Sequence, residues 1–151
     1  MTSSAGGRQE LLDGLAAAIA ELEFAISSLG EAYEQLDTVS ADRMEEQLFR
    51  PLQLASGHAK RTAAAFAERS GLSVPTVTAD PAAHPSVGAR AFIDAAVEAA
   101  GAADRALVGL QDSPWLVEVG DPELRSGIAD ARLQIGGVAG AAREFARVLG
   151  R

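Results

Sequence analysis

The chain has 151 residues, 48% hydrophobic and 5% aromatic, with no cysteine and a formal charge of -8 from 13 basic and 21 acidic side chains. The apolar content suffices for one folded core, so disorder throughout is excluded, and the lack of thiols removes disulfide frameworks, thiolate zinc sites, iron–sulfur ligation and cysteine catalysis. The acidic balance repels phosphate, so no nucleic-acid partner is expected.

No apolar run approaches the ~18 residues of a membrane span, and residues 1–7 are polar. The expectation is a cytoplasmic protein with no membrane partner and a flexible N-terminus over 1–7. Alanine makes up about a fifth of the chain and Lys60 is the sole lysine, a bias in keeping with a high-GC bacterial gene. Helix formers dominate and no alternating strand pattern occurs, so the expected class is all-α.

The first helix is expected over 8–36. Leu12, Ile19, Ile26 and Tyr33 recur every seven residues, as do Leu15, Leu22, Leu29 and Leu36, and Leu11, Ala18, Ala25 and Ala32 widen that seam. The second is expected over 41–70, with Ser40 as N-cap and a seam of Leu48, Leu52, Ala55, Ala59, Thr62 and Phe66. Pro51 lies inside it and predicts a kink near Arg50–Pro51, because proline removes an amide donor and clashes with the preceding turn. Gly71 ends it.

Residues 72–85 carry Pro75, Pro81 and Pro85 and read as a connection. The third helix follows over 87–111, with Ala89, Ile93, Ala96, Ala100, Ala103, Leu107 and Leu110 as its seam. The apolar run Trp115–Val119 lies in the next link and is expected to fold back over one end of the molecule. Asp121-Pro122-Glu123 opens a fourth helix over 122–149: a capping Asp, a Pro at the first position and an acid in the first turn. Leu124, Ile128, Ala131, Ile135, Val138, Ala142, Phe145 and Leu149 form its seam.

Four amphipathic helices of this length predict a single four-helix-bundle domain. The short links make helices 1 and 2, and helices 3 and 4, antiparallel hairpins. Fourteen extended residues reach about 46 Å and a 30-residue helix is about 45 Å long, so the middle link has the length to cross the bundle. The alternative topology is up-down-up-down with that link returning to the same end.

With two hairpins and a long central connection, the chain resembles the ferritin-like superfamily. The stretch Gly57-His58-Ala59-Lys60 through Phe66-Ala67-Glu68-Arg69-Ser70-Gly71-Leu72 is similar to the end of a ferritin-like second helix. Asp121-Pro122-Glu123-Leu124 and Val148-Leu149-Gly150 are similar to the bounds of the fourth. Di-iron members use two Glu-x-x-His pairs. Here Ala55 stands three residues before His58, and the fourth helix has no histidine. The resemblance therefore implies a divergent member with no metal and no cofactor.

Two sets of residues remain as candidates. Glu45 falls in register with the seam of the second helix, while Glu23, His58, Asp104, Arg132 and Gln134 flank seams, together a candidate polar layer or ligand site. The competing reading is that these side chains make structural pairs or reach outward to water. Counting back from the 112–121 link puts Asp104 about one turn from Arg132, so a bidentate pair in that layer is expected, with Glu23 as the alternative partner. Phe24, Ala129, Leu133, Gly136 and Gly140 lie off the seams and form a candidate face for self-association. The expected function is a non-catalytic, homo-oligomeric binding or interaction module whose small-molecule ligand, if any, the residues do not name. The alternative is a divergent metal-dependent oxidase or oxygenase built on Glu23, Glu45 and His58.

Overall fold

The computed structural model describes residues 4–76 and 88–149. Helix α1 spans Ser4–Glu34, α2 Thr38–Met44 and α3 Arg50–Ser70, with a π-helical turn Glu45–Phe49 joining α2 to α3. Then come α4 Ala89–Gln111, the short α5 Pro114–Val119, α6 Pro122–Ile135 and α7 Val138–Leu149. Among the described residues there is no strand, and the protein is all-α.

Several boundaries differ from expectation. Helix α1 begins at Ser4 rather than near residue 8, so residues 4–7 belong to its first turns. Gly7 is buried because the Trp115 indole lies where a Cβ would stand. The N-cap of α2 is Asp37, not Ser40. Its Oδ1 accepts from the Ser40 amide at 2.8 Å and its Oδ2 from the Ser40 hydroxyl at 3.0 Å. These bonds to the charged form hold the Asp37 carboxyl below its ordinary pKa.

A π turn lies directly ahead of Pro51. The Arg50 amide reaches back five residues to the Glu45 carbonyl, one more than in an α-helix. At the other end of α3, Gly71 adopts φ 68°, a left-handed cap that suits glycine. The fourth predicted helix is broken at Gly136–Gly137, where two residues without side chains remove the packing that would hold the helix straight. The seam survives the break: Leu124, Ile128, Ala131, Ile135, Val138, Ala142 and Phe145 are all buried.

The long helices pair in opposite directions. Trp115 lies on Gly7, Leu110 lies on Gly14, and Glu21 and Phe24 share a groove with Ala95, Ala99 and Ala102, so α1 runs against α4. Glu23 meets Ser56 and Lys60, while Gly30, Tyr33 and Glu34 share a groove with Glu45 and Phe49, so α1 also runs against α3. Arg69 grips Asp121 and Thr62 lies on Gly127, so α3 runs against α6. Both hairpins are thus antiparallel. Helices α3 and α4 share one direction, and the last turn of α3 and the first of α4 lie at opposite ends. Most of the connecting segment, including residues 77–87, lies outside the described residues.

Alanine lets these rods approach closely. Ala18, Ala25 and Ala32 of α1 and Ala96, Ala99, Ala100 and Ala103 of α4 are all buried. Most of the predicted α1 seam is buried: Leu11, Leu12, Leu15, Leu22 and Leu29 point inward with these alanines, while Ile19, Ile26 and Leu36 are half-buried and Tyr33 is exposed, so the packed face is shifted toward the alanine side. Leu116 of α5 is buried and Trp115 covers the start of α1, so the 114–119 segment closes that end of the core.

Candidate functional site

The candidate polar layer does not assemble. Glu23 accepts a hydrogen bond from the Ser56 hydroxyl at 3.1 Å and forms an ion pair with Lys60, tying α1 to α3. Ser56 is buried, so its hydroxyl bonds within the protein and offers no surface nucleophile. Glu45 is exposed, which corrects its place in the seam: Met44 and Leu48 turn inward on either side of it. Glu45 and His58 are thirteen positions apart, roughly 20 Å of helix rise. His58 faces α6, whereas Ser56 and Lys60 on the same helix face α1. Glu23, Glu45 and His58 are therefore not gathered around one point. Among the described residues, no three His, Asp or Glu side chains are grouped to share an ion.

Arg132 and Asp104 meet through two hydrogen bonds, Nε to Oδ1 at 2.9 Å and Nη2 to Oδ2 at 3.3 Å. Arg132 Nη1 also donates to Gln111 Oε1 at 2.8 Å. The Asp104 carboxylate raises the Arg132 pKa above its ordinary value. This pair sits at the surface of the α4–α6 seam, with side chains 37% and 31% exposed, and not inside the bundle. The core beneath it is Ala103, Leu107, Ile128 and Ala131, with no polar layer for a cation to fill. Gln134 is half-buried on α6.

A second bidentate pair joins α3 to the start of α6. Arg69 Nε and Nη2 donate to Asp121 at 2.7 and 2.9 Å, while Asp121 Oδ1 also accepts from the Leu124 amide at 2.8 Å as N-cap. The Arg69 guanidinium and then that amide hold the Asp121 carboxyl below its ordinary range, against the opposing effect of burial. Asp121 in turn raises the Arg69 pKa.

The candidate self-association face divides. Ala129, Leu133, Gly136 and Gly140 are exposed on the outside of α6 and the start of α7, and Leu133 is 77% exposed. Phe24 does not join them. It is half-buried in the α1–α4 groove, because α4 packs on the side of α1 that the heptads assign to the outside.

What adjoins Leu133 is the outer face of α3. The α3–α6 boundary forms an open groove of about 440 Å³ lined by His58, Arg61, Thr62, Glu123, Ser126 and Asp130, among others. On α3, Leu54 is one turn from His58 and is 46% exposed. From the Thr62–Gly127 contact, Leu54 lies eight residues back and Leu133 six residues on, so the two leucines are level to about 3 Å. His58 Nδ1 lies 3.4 Å from Arg61 Nη2, a contact that needs the ring nitrogen as acceptor. Arg61, Glu123 and Asp130 were not read from the sequence as site residues. Their signal is a second helical stripe, 54–58–61–65 facing 123–126–130–133, visible only once α3 and α6 are known neighbours.

A smaller groove lies at the π turn, lined by Gly30, Tyr33, Glu34, Glu45 and Phe49. It carries two carboxylates and a phenol with no basic side chain. Neither groove contains a nucleophile hydrogen-bonded to a base. Comparison with protein-family models, with curated proteins and with solved structures finds no match to this chain.

Proposed function

We propose that this chain is a ferritin-like helical bundle without a di-iron centre, working as a homo-oligomeric interaction module rather than as an enzyme. The ferritin-like part is supported by the helix directions. Helix α1 opposes α3 and α4, and α6 opposes α3, which with a connection between opposite ends gives up, down, down, up. Two hairpins joined by one long crossover is the arrangement of that superfamily. The missing Glu-x-x-His pairs and the separation of Glu23, Glu45 and His58 favour a member that does not act through two metal ions.

The observation that carries the interaction role is the outer face of α3 and α6. Leu133 leaves most of its side chain in water at the level of exposed Leu54, on a stripe with Ala129, Gly136 and Gly140, which are exposed as well. Full burial of a leucine is worth about 1.5–3 kcal/mol, most of which Leu133 has yet to realise. Exposed leucines grouped on one face mark an association surface more strongly than the same residues scattered.

Sedimentation velocity over a range of protein concentrations tests this reading. The expected result is a reversible shift from monomer to a larger species; a monomer at every concentration refutes it. Near-stoichiometric iron, manganese or zinc in protein purified without chelator would overturn the non-enzymatic part.

A further inference from the structure

We propose that the outer face of α3 and α6 is an isologous dimer interface whose two-fold axis runs parallel to these helices, so that α3 of each copy lies on α6 of the other. This rests on the self-association just described and adds its geometry.

The face has a charged side and a countercharged side. The α3 edge of the groove carries the Arg61 cation, with the His58 ring nitrogen turned to it as acceptor; the α6 edge carries Glu123 and Asp130. Among the described residues, none of Arg61, Glu123 and Asp130 has an ion-pair partner within its own chain. Nearby Lys60, Arg69 and Arg132 are all paired. These groove charges thus form no ion pair with one another, although Glu123 acts on Arg69 from a distance, and opposite signs sit on opposite helices.

That sidedness selects the symmetry. Two copies meeting on the same face are related by an axis lying in the plane of contact. An axis perpendicular to the helices would put α3 on α3 and α6 on α6, bringing the Arg61 side onto itself and the Glu123 and Asp130 side onto itself. An axis parallel to the helices keeps every residue at its level and exchanges the two sides. Taking Thr62–Gly127 as the zero level, Arg61 and Asp130 differ by about 3 Å of rise, and His58 and Asp130 by about 1.5 Å. Asp130 of one copy then faces Arg61 and His58 of the other, and each contact occurs twice. The same operation lays Leu54 on Leu133 of the other copy, also twice.

The size suits a reversible contact. Helix α6 has 14 residues, so the two-helix face is about 20 Å long, and two helices give about 20 Å of width. That is roughly 400 Å² per partner before side-chain relief is counted, at the low end where transient interfaces lie. The leucines supply the apolar centre, and the charges fix the relative orientation.

Charge reversal tests the arrangement because an isologous contact holds both partners in one chain. Sedimentation velocity is run on the wild type, Arg61→Glu, Asp130→Arg, the double variant and Leu133→Glu, with helicity of each checked by circular dichroism. Arg61→Glu and Asp130→Arg should each weaken the dimer about tenfold or more, and the double variant should return to within about threefold of wild type. Leu133→Glu should leave a folded monomer. A dimer indifferent to Arg61→Glu and Leu133→Glu overturns this interface and leaves self-association standing. A double variant no tighter than the single ones overturns the axis direction. A wild-type monomer at high micromolar concentration overturns this inference together with the proposed function.

Discussion

Replacing Gly127 by alanine should destabilise the protein, although helix propensity alone predicts the reverse. An alanine in a helix interior is favoured over glycine by about 1 kcal/mol. At Gly127, however, the new Cβ would overlap the Thr62 side chain: Oγ1 is nearest, Cγ2 stands at 2.6 Å and Cβ itself at 2.8 Å. Threonine is stiff at χ1, and rotation cannot remove its own Cβ, so α3 and α6 must separate. Overpacking of this kind costs about 1–3 kcal/mol, which after the propensity gain leaves a net loss of up to about 2 kcal/mol. For a chain of this length the thermal midpoint should fall by up to about 4–8 °C. Gly109→Ala is the internal control: no atom lies within 4 Å of its Cβ position in α4, so it should gain about 0.5–1 kcal/mol. Thr62→Ala removes Oγ1 and Cγ2, so combining it with Gly127→Ala should recover about 1 kcal/mol in a double-mutant cycle. Circular-dichroism melts and urea titrations measure all four. If Gly127→Ala stabilises as much as Gly109→Ala, the α3–α6 approach is not limited by this contact and the reasoning fails.

Ser28 is fully buried in α1, and its hydroxyl has no hydrogen-bond partner, so Ser28→Ala should stabilise by about 1 kcal/mol in urea titration. The Arg132–Asp104 pair is bidentate but a third exposed, so an Arg132→Met and Asp104→Leu cycle should give a coupling of about 0.5–1 kcal/mol, discounted for solvent screening. Asp121 has a depressed pKa in the folded state. Its contribution is therefore fully present above the unfolded value near 3.9 and is lost as pH falls through the lower folded value. Asp121→Asn keeps a capping side chain, so its stability deficit should be constant from about pH 5 upward and shrink below about pH 4, read from urea titrations at each pH.

The parts of the fold that are legible in the sequence are those governed by local spacing. The seams of α4, α6 and α7 are visible because apolar residues recur at three- and four-residue steps, and one buried stripe continues across the break at Gly136–Gly137. The seam of α1 is legible too, except at its Ile19–Ile26–Tyr33 edge. Its heptads mark several apolar stripes, and the one that faces α4 is chosen by the small side chains on both helices. Glu45 reads as a seam position only if the rod is counted as uninterrupted α-helix, which the π turn ahead of Pro51 prevents. The Arg132–Asp104 contact follows from counting along one hairpin. The groove charges Arg61, Glu123 and Asp130 belong to different hairpins, so their adjacency is a property of how the hairpins dock and leaves no mark in either segment alone.

The seating of Trp115 on Gly7 has an optical consequence. The chain contains one tryptophan, so all of its indole emission originates where α5 closes over the first turns of α1. Fluorescence thus observes a single end of the molecule, while circular dichroism averages over every helix. The two signals coincide on heating only if that closure is released together with the rest of the core, and an earlier fluorescence transition would time the release of the cap by itself.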